Sequence, residues 1–172
     1  KRFLFIMIYR YCRRMIHSLK TYLLFKYMYY YRTIYEIEGL RIIYVTFSDY
    51  NQLSGFDDLL ELWKSQYIEQ RRFRFVFDTR GLKELPSLYY CFQMAWFIRR
   101  LKKDYRDQYL ERSLILVNRV GIRRLLDFIF TIQSPVAPVY IYHCEGQVDP
   151  TQMTELVQQS TIQDEDITEI LP

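Results

Sequence analysis

The side chains best placed to do chemistry fall in one stretch, residues 75 to 87, which reads FVFDTRGLKELPS. An apolar run stops on a carboxylate, Asp78. Arg80 and Gly81 follow, and a Pro-Ser pair ending at Ser87 opens a long apolar segment. A carboxylate at the end of a strand is expected to hold a turn by accepting hydrogen bonds from nearby backbone amides. The alternative is that Asp78, Arg80 and Gly81 form a surface that a partner reads. Ser87 also has two readings. At a helix N-cap its hydroxyl accepts a bond from a free first-turn amide, worth about 1 kcal/mol. As a regulatory phosphosite it would hold a phosphate where the helix dipole and free amides favour one.

Other reactive groups are sparse. His143 and Cys144 are adjacent at the end of an apolar run. A thiol needs its base within hydrogen-bond reach, and neighbouring residues of a strand point to opposite faces, so no dyad is expected. Three cysteines (Cys12, Cys91, Cys144) without a CxxC pair, and two histidines, argue against a zinc knuckle, a disulfide framework or a histidine metal site. There is no phosphate-binding glycine loop, dinucleotide fingerprint, GxSxG elbow or HExxH helix. The expectation is therefore a non-enzyme with no cofactor and no metal, in the reducing cytoplasm.

Charge divides the chain. Residues 1 to 35 contain eight Lys or Arg and no acid, which leaves sixteen basic against twenty acidic residues, a net of −4, for the rest. On a helical period Ile8, Tyr11, Cys12, Met15, Ile16, Leu19, Tyr22 and Leu23 share one side, and Arg10, Arg13, Arg14, His17 and Lys20 the other, with Leu24 the main exception. Such a basic amphipathic helix packs on its own domain or a partner subunit, lies on an anionic membrane surface, or belongs to an extension upstream of Met28. No apolar run approaches the roughly 20 residues that span a bilayer, and early arginines break any secretory signal. No second basic-aromatic surface is evident, so no nucleic acid is expected as a partner. The wealth of Tyr, Phe and Ile follows A/T-rich codons, a composition that would suit a large DNA virus.

The elements that must carry these groups follow from periodicity. Tyr35 to Glu38, Gly39, and Arg41 to Phe47 read as a hairpin. Phe56 to Gln70 reads as a helix with acids in its first turn, where the dipole favours them. Arg72 to Asp78 is a strand whose closing apolar run fits a sheet covered on both faces. Ser87 to Tyr105 is a second helix, apolar nearly all round and so expected to be buried on more than one side. Its last turns hold Arg99, Arg100, Lys102 and Lys103, either as a solvated end that suits the dipole or as a patch for anionic headgroups or an acidic partner. Arg112 to Val117 is a strand, Gly121 to Gln133 a helix, and Val136 to Tyr142 a last strand. Pro138 places that strand at an edge or leaves its first residues unpaired. Asp149-Pro150 starts a short helix, followed by an acidic tail. Alternating strands and helices imply a mostly parallel sheet.

This order of elements resembles the STAS domain, the fold of anti-sigma-factor antagonists. Asp78 matches the Asp-containing turn after the family's third strand, Gly81 and Leu82 its small and apolar turn positions, and Ser87 its phosphorylatable residue, with Pro86 in place of the Asp of the family's Asp-Ser-Ser-Gly. A second resemblance is to CRAL-TRIO lipid-transfer domains: Asp78-Thr-Arg-Gly81, then Tyr109-Leu-Glu-Arg112 and Ile115-Leu-Val-Asn118, with Leu110 in place of the family's Pro. The first resemblance implies a STAS-like α/β domain over 35–146, between a basic helical extension over 1–34 and an acidic helix and tail over 147–172. It also implies a non-enzymatic interaction or regulatory module that binds a protein partner, or a second copy, through the loop after the third strand and the following helix. The second implies a small lipid-binding or membrane-surface domain.

Overall fold

The computed structural model describes residues 29–37, 39–48, 55–159, 162 and 166–172. The expected helix bearing Arg10, Arg13, Arg14 and Lys20 lies outside them. Strands β1 (Tyr29–Ile37) and β2 (Leu40–Ser48) form the hairpin, closed by Gly39 at φ 80°, a conformation glycine adopts without a Cβ clash. Then follow α1 (Phe56–Ile68), β3 (Phe73–Asp78), α2 (Leu88–Asp104), β4 (Leu110–Val117), α3 (Val120–Ile132), β5 (Val139–His143), α4 (Pro150–Gln158) and β6 (Ile167–Ile170). The fold is α/β, as the alternation of elements implied.

The six strands lie in chain order, with β1 antiparallel to β2, β2 to β5 parallel, and β6 antiparallel to β5. Parallel neighbours joined by right-handed crossovers that always step the same way must place every connecting helix on one face. Leu59, Trp63 and Tyr67 of α1, Cys91, Ala95 and Ile98 of α2, and Ile122 and Ile129 of α3 accordingly pack with Val45, Phe73, Phe75, Phe77, Ile115 and Ile141 of the sheet. Much of the aromatic excess is spent here. Phe75 and Phe77 stack at 4.6 Å, and Trp63 meets Phe75 and Phe97 edge-on at 5.0 and 5.4 Å, geometries that add to plain burial.

The opposite face carries Ile42, Tyr44, Val76, Leu114, Leu116 and Tyr140, and α4 covers it with Met153 and Val157. Both ends of this short helix are tied down. Asp149 Oδ1 accepts from Thr151 N at 2.9 Å, with Pro150 beginning the first turn. At the other end Arg74 Nη1 donates to Val157 O (2.9 Å) and Arg112 Nη1 to Gln159 O (2.6 Å), supplying cations where the dipole is negative. Arg74 also pairs with Glu111 at 2.7 Å. Glu111 is available because the β3–β4 register shifts between Phe73 and Arg74, a bulge that lets both Leu110 and Ile115 face the helical layer.

Four expectations change. β1 begins at Tyr29 rather than Tyr35, because Tyr29 to Ile34 continue the pairing with Ile43 to Ser48. The last stretch is not all tail, since Ile167–Ile170 pairs with β5. That strand removes β5 from the edge, so of the two readings of Pro138 the second holds: Val136 to Pro138 precede the strand, and the Pro138 carbonyl accepts from Ser113 N at 2.9 Å. Finally, α2 buries only Cys91, Ala95, Ile98 and Leu101, leaving Leu88, Tyr89 and Trp96 about half exposed. Nothing covers its outer side among the described residues, because a one-sided helical layer has no second sheet above it.

Replacing Arg74 by Met keeps the stem but leaves the α4 carbonyl without this donor and Glu111 with the longer contact to exposed Arg72 at 3.5 Å. It should cost about 2–3 kcal/mol in urea unfolding, while Met at the exposed Arg72 changes stability by less than about 0.5 kcal/mol.

Candidate functional site

Asp78 does not face outward. It is 7 % exposed, and its carboxylate accepts from Arg80 N (3.1 Å), Arg80 Nε (2.9 Å) and Arg80 Nη2 (2.7 Å), with Tyr44 Oη at 3.4 Å. Arg80 extends the clamp by donating to Gly146 O at 2.6 Å, tying this turn to the one after β5. The turn-forming reading of Asp78 is what the geometry shows, and Arg80 is turned inward with it. Thr79, also buried, gives both its amide and its hydroxyl to Leu116 O (3.2 and 2.7 Å). Gly81 is required by crowding, because a Cβ there would lie 2.5 Å from Phe47 O. The segment that looked most reactive is thus largely a buckle across the C-terminal ends of β2, β3, β4 and the loop after β5.

Ser87 is the N-cap residue of α2, but its hydroxyl makes no cap hydrogen bond. Its carbonyl takes the Tyr90 amide at 3.0 Å, so the cap is made by the backbone, and the side chain is exposed. His143 and Cys144 diverge as expected, one exposed and the other buried. Arg99, Arg100 and Lys103 are exposed along the end of α2. Arg100 stacks on Trp96 at 4.3 Å, and Lys102 Nζ donates to Ser134 Oγ at 2.8 Å.

What the sequence did not reveal lies beneath Tyr90. Between the helical layer and the sheet is a cavity of about 130 Å³, bounded by α1, α2, α3, the loop after β3 and the floor made by β3 to β5. Trp63, Phe77, Leu82, Cys91, Ile122 and Ile129 are among its walls. No charged side chain lines it, and Thr79 Oγ1, one of its few polar atoms, is already committed to Leu116. Ser113, 2 % exposed, sits on the floor where its strand neighbours on that face, Leu110 and Ile115, are large. Half-buried Pro86, Tyr90, Met94 and Leu126 form part of the lining. A water needs two to four polar partners, which these walls do not supply, so the space suits an apolar group.

Burial sets the titration of two groups in this layer. The Cys91 thiol, facing the cavity, is pushed up to about 11, and the Tyr67 phenol to about 12, both chiefly by desolvation. Tyr67 also donates to Gln108 Oε1 at 2.9 Å. Neither is poised as a nucleophile or base near neutrality. Among the described residues no group of three metal-ligating side chains converges, and no helix is long and apolar enough to cross a membrane.

Fold and cavity together define the class: an α/β layer domain with α1, α2 and α3 on one face of the sheet, α4 on the other, and an apolar space under the first three. No family model, curated protein or solved structure matches the chain. The cavity escaped detection because a pocket between packed elements has no periodicity of its own. A lone Ser in the run Leu110 to Val117 was the one available signal.

Two tests follow. Gly81→Ala must push a Cβ into a backbone carbonyl and should cost about 2–3 kcal/mol. Gly121→Ala meets only the tip of the half-exposed Leu85 side chain and should be neutral or slightly stabilising in a thermal melt. Cys91 and Tyr67 keep their protons in the folded state beyond the pH at which the unfolded chain releases them. Stability is therefore full below about pH 9 and declines from there to about pH 12. Urea titrations across that range should show a decline that Cys91→Ala makes shallower.

Proposed function

We propose that this is a non-enzymatic binding module that takes a slim apolar group, such as the end of an acyl or prenyl chain, into the space beneath α1, α2 and α3. The observation that carries this is the uncharged cavity of about 130 Å³. Apolar cavities near 150 Å³ stay dry and accept a ring the size of benzene, so a chain terminus fits and a whole lipid does not. A charged headgroup would find no partner among the walls and would stay at the rim, near Pro86 and Tyr90. The two segments that look like CRAL-TRIO motifs also border this space: Thr79 belongs to the first, and Leu110 and Ile115 to the second. Cys91 and Cys144 are free thiols, in keeping with work in the cytoplasm.

The STAS-like reading, a partner bound through the loop after β3 and through α2, is less well supported. Asp78 and Arg80 spend their hydrogen bonds on each other, which leaves Gly81, Ser87 and the outer side of α2 to do the recognition. The cavity-bearing face is the stronger candidate.

Ser113→Leu should fill the floor of the cavity. Titration of the purified chain with a fluorescent fatty acid, without vesicles, should show uptake by the wild type. In the variant, affinity should fall at least about tenfold, with a melting temperature equal or higher because a void has been filled. Undiminished uptake by a folded Ser113→Leu variant, or no uptake of any chain length by the wild type, would refute the proposal.

A further inference from the structure

Of the eight large apolar side chains exposed among the described residues, five lie around one corner of the domain. These are Leu85 on the loop, Leu88, Tyr89 and Trp96 on α2, and Val120 at the start of α3, each more than half exposed. Leu85 lies over Gly121, its Cδ2 2.8 Å from where a Cβ would stand, so loop and α3 are continuous there. Along α2, spacings of three, four, seven and eight residues bring Leu88, Tyr89, Trp96, Arg99 and Arg100 to one side.

The charge of this corner is mainly positive. From Lys83 to Lys103 there are five cations and one acid, Glu84, and from Val117 to Asp127 three cations and one acid, Asp127. Among the described residues Arg123 is held by Asp127 at 3.0 Å, and Arg119, the residue before α3, donates to Lys83 O. Apolar and aromatic side chains ringed by Lys and Arg are what an interfacial surface needs: rings and Leu enter the acyl boundary while the cations meet headgroups. The Arg100–Trp96 stack joins the two functions in one contact. A second copy of the chain fits poorly, since pairing like surfaces would oppose one net positive surface (eight cations against two acids) with another.

We propose that the corner formed by the loop from Lys83 to Ser87, the outer side of α2 and the start of α3 docks on an anionic lipid bilayer. The cavity lining includes Pro86 of this loop and Tyr90 of α2. Docking itself does not depend on what fills the cavity.

Trp96 provides a local reporter, because the other tryptophan, Trp63, is 5 % exposed. The full chain is mixed with vesicles of phosphatidylcholine alone or with phosphatidylserine, some carrying brominated acyl chains. With anionic vesicles, Trp96 emission should shift to the blue and be quenched by bromine, and Trp96→Phe should abolish that signal while retaining flotation. A basic residue near an anionic leaflet is worth roughly fivefold in partitioning, so Arg99→Gln with Arg100→Gln should weaken flotation about 25-fold. Leu88→Glu with Val120→Glu should weaken it at least about tenfold; both positions are exposed, so the melting temperature should hold. Flotation with Trp96 unquenched would place the contact elsewhere, on residues 1–28 for example, and overturn the proposal. So would undiminished flotation of the Leu88→Glu, Val120→Glu chain, or capture by an acidic polypeptide but not by vesicles. Fatty-acid uptake is read without vesicles, so each proposal can fail while the other stands.

Discussion

The constraint from which the rest follows is the handedness of the crossovers. Four parallel strands laid side by side in chain order leave each connecting helix only one face to occupy. Among the described residues three helices therefore share one side of the sheet and one nine-residue helix guards the other. The crowded side must be filled by residues long enough to reach from three helix axes to one curved floor. Phe73, Phe75, Phe77, Trp63 and Tyr67 do most of that. Where the floor residue is small, at Ser113, the walls do not close, and a space remains. The sparse side has the reverse problem, with too little helix for the area, and solves it by pinning α4 at both ends through Asp149, Arg74 and Arg112.

The same layering decides what the polar groups at the upper rim of the sheet can do. In open parallel sheets ligands gather beyond the carboxyl ends of the strands, where Asp78 stands. Here that position is taken by the protein itself. Arg80 neutralises the carboxylate and reaches on to Gly146, while Thr79 holds Leu116, so three neighbouring strand ends are joined by side chains. The rim satisfies its own hydrogen bonds. The unfilled volume lies below it, among carbon atoms, and this shifts the functional reading from polar recognition to apolar capture.

The order and type of elements were legible because local pattern reports them directly: an apolar, β-rich run from Ile42 to Val45, a helical stripe from Phe56 to Tyr67, and an Asp-Pro start at 149. Boundaries were less so. Tyr29 to Ile34 read as part of the basic segment because the acid-free run continues through Tyr35 and three consecutive tyrosines show no alternation; it is pairing with β2 that makes them a strand. The four residues of β6 follow an acidic run and are too few to show a period. The burial of α2 was overestimated because its composition is apolar nearly all round, while the number of layers above it is set by topology, which composition does not carry. Asp78 was placed correctly at a turn, yet its engagement by Arg80 depends on a side-chain conformation that no spacing rule supplies.

The sequential order of the sheet has a further consequence for how the chain is made. Each strand docks beside the one synthesised just before it, so the sheet can grow vectorially, with every new pairing local and the loop to be closed short. At each stage the growing margin offers unsatisfied amides and carbonyls to any other nascent chain. When β5 emerges, that margin is the apolar run Val139 to Tyr142, and it stays open until α4 and the following turn have been made. The modest strand Ile167–Ile170, with Thr168 and Glu169 at its centre, is the seal that ends the exposure.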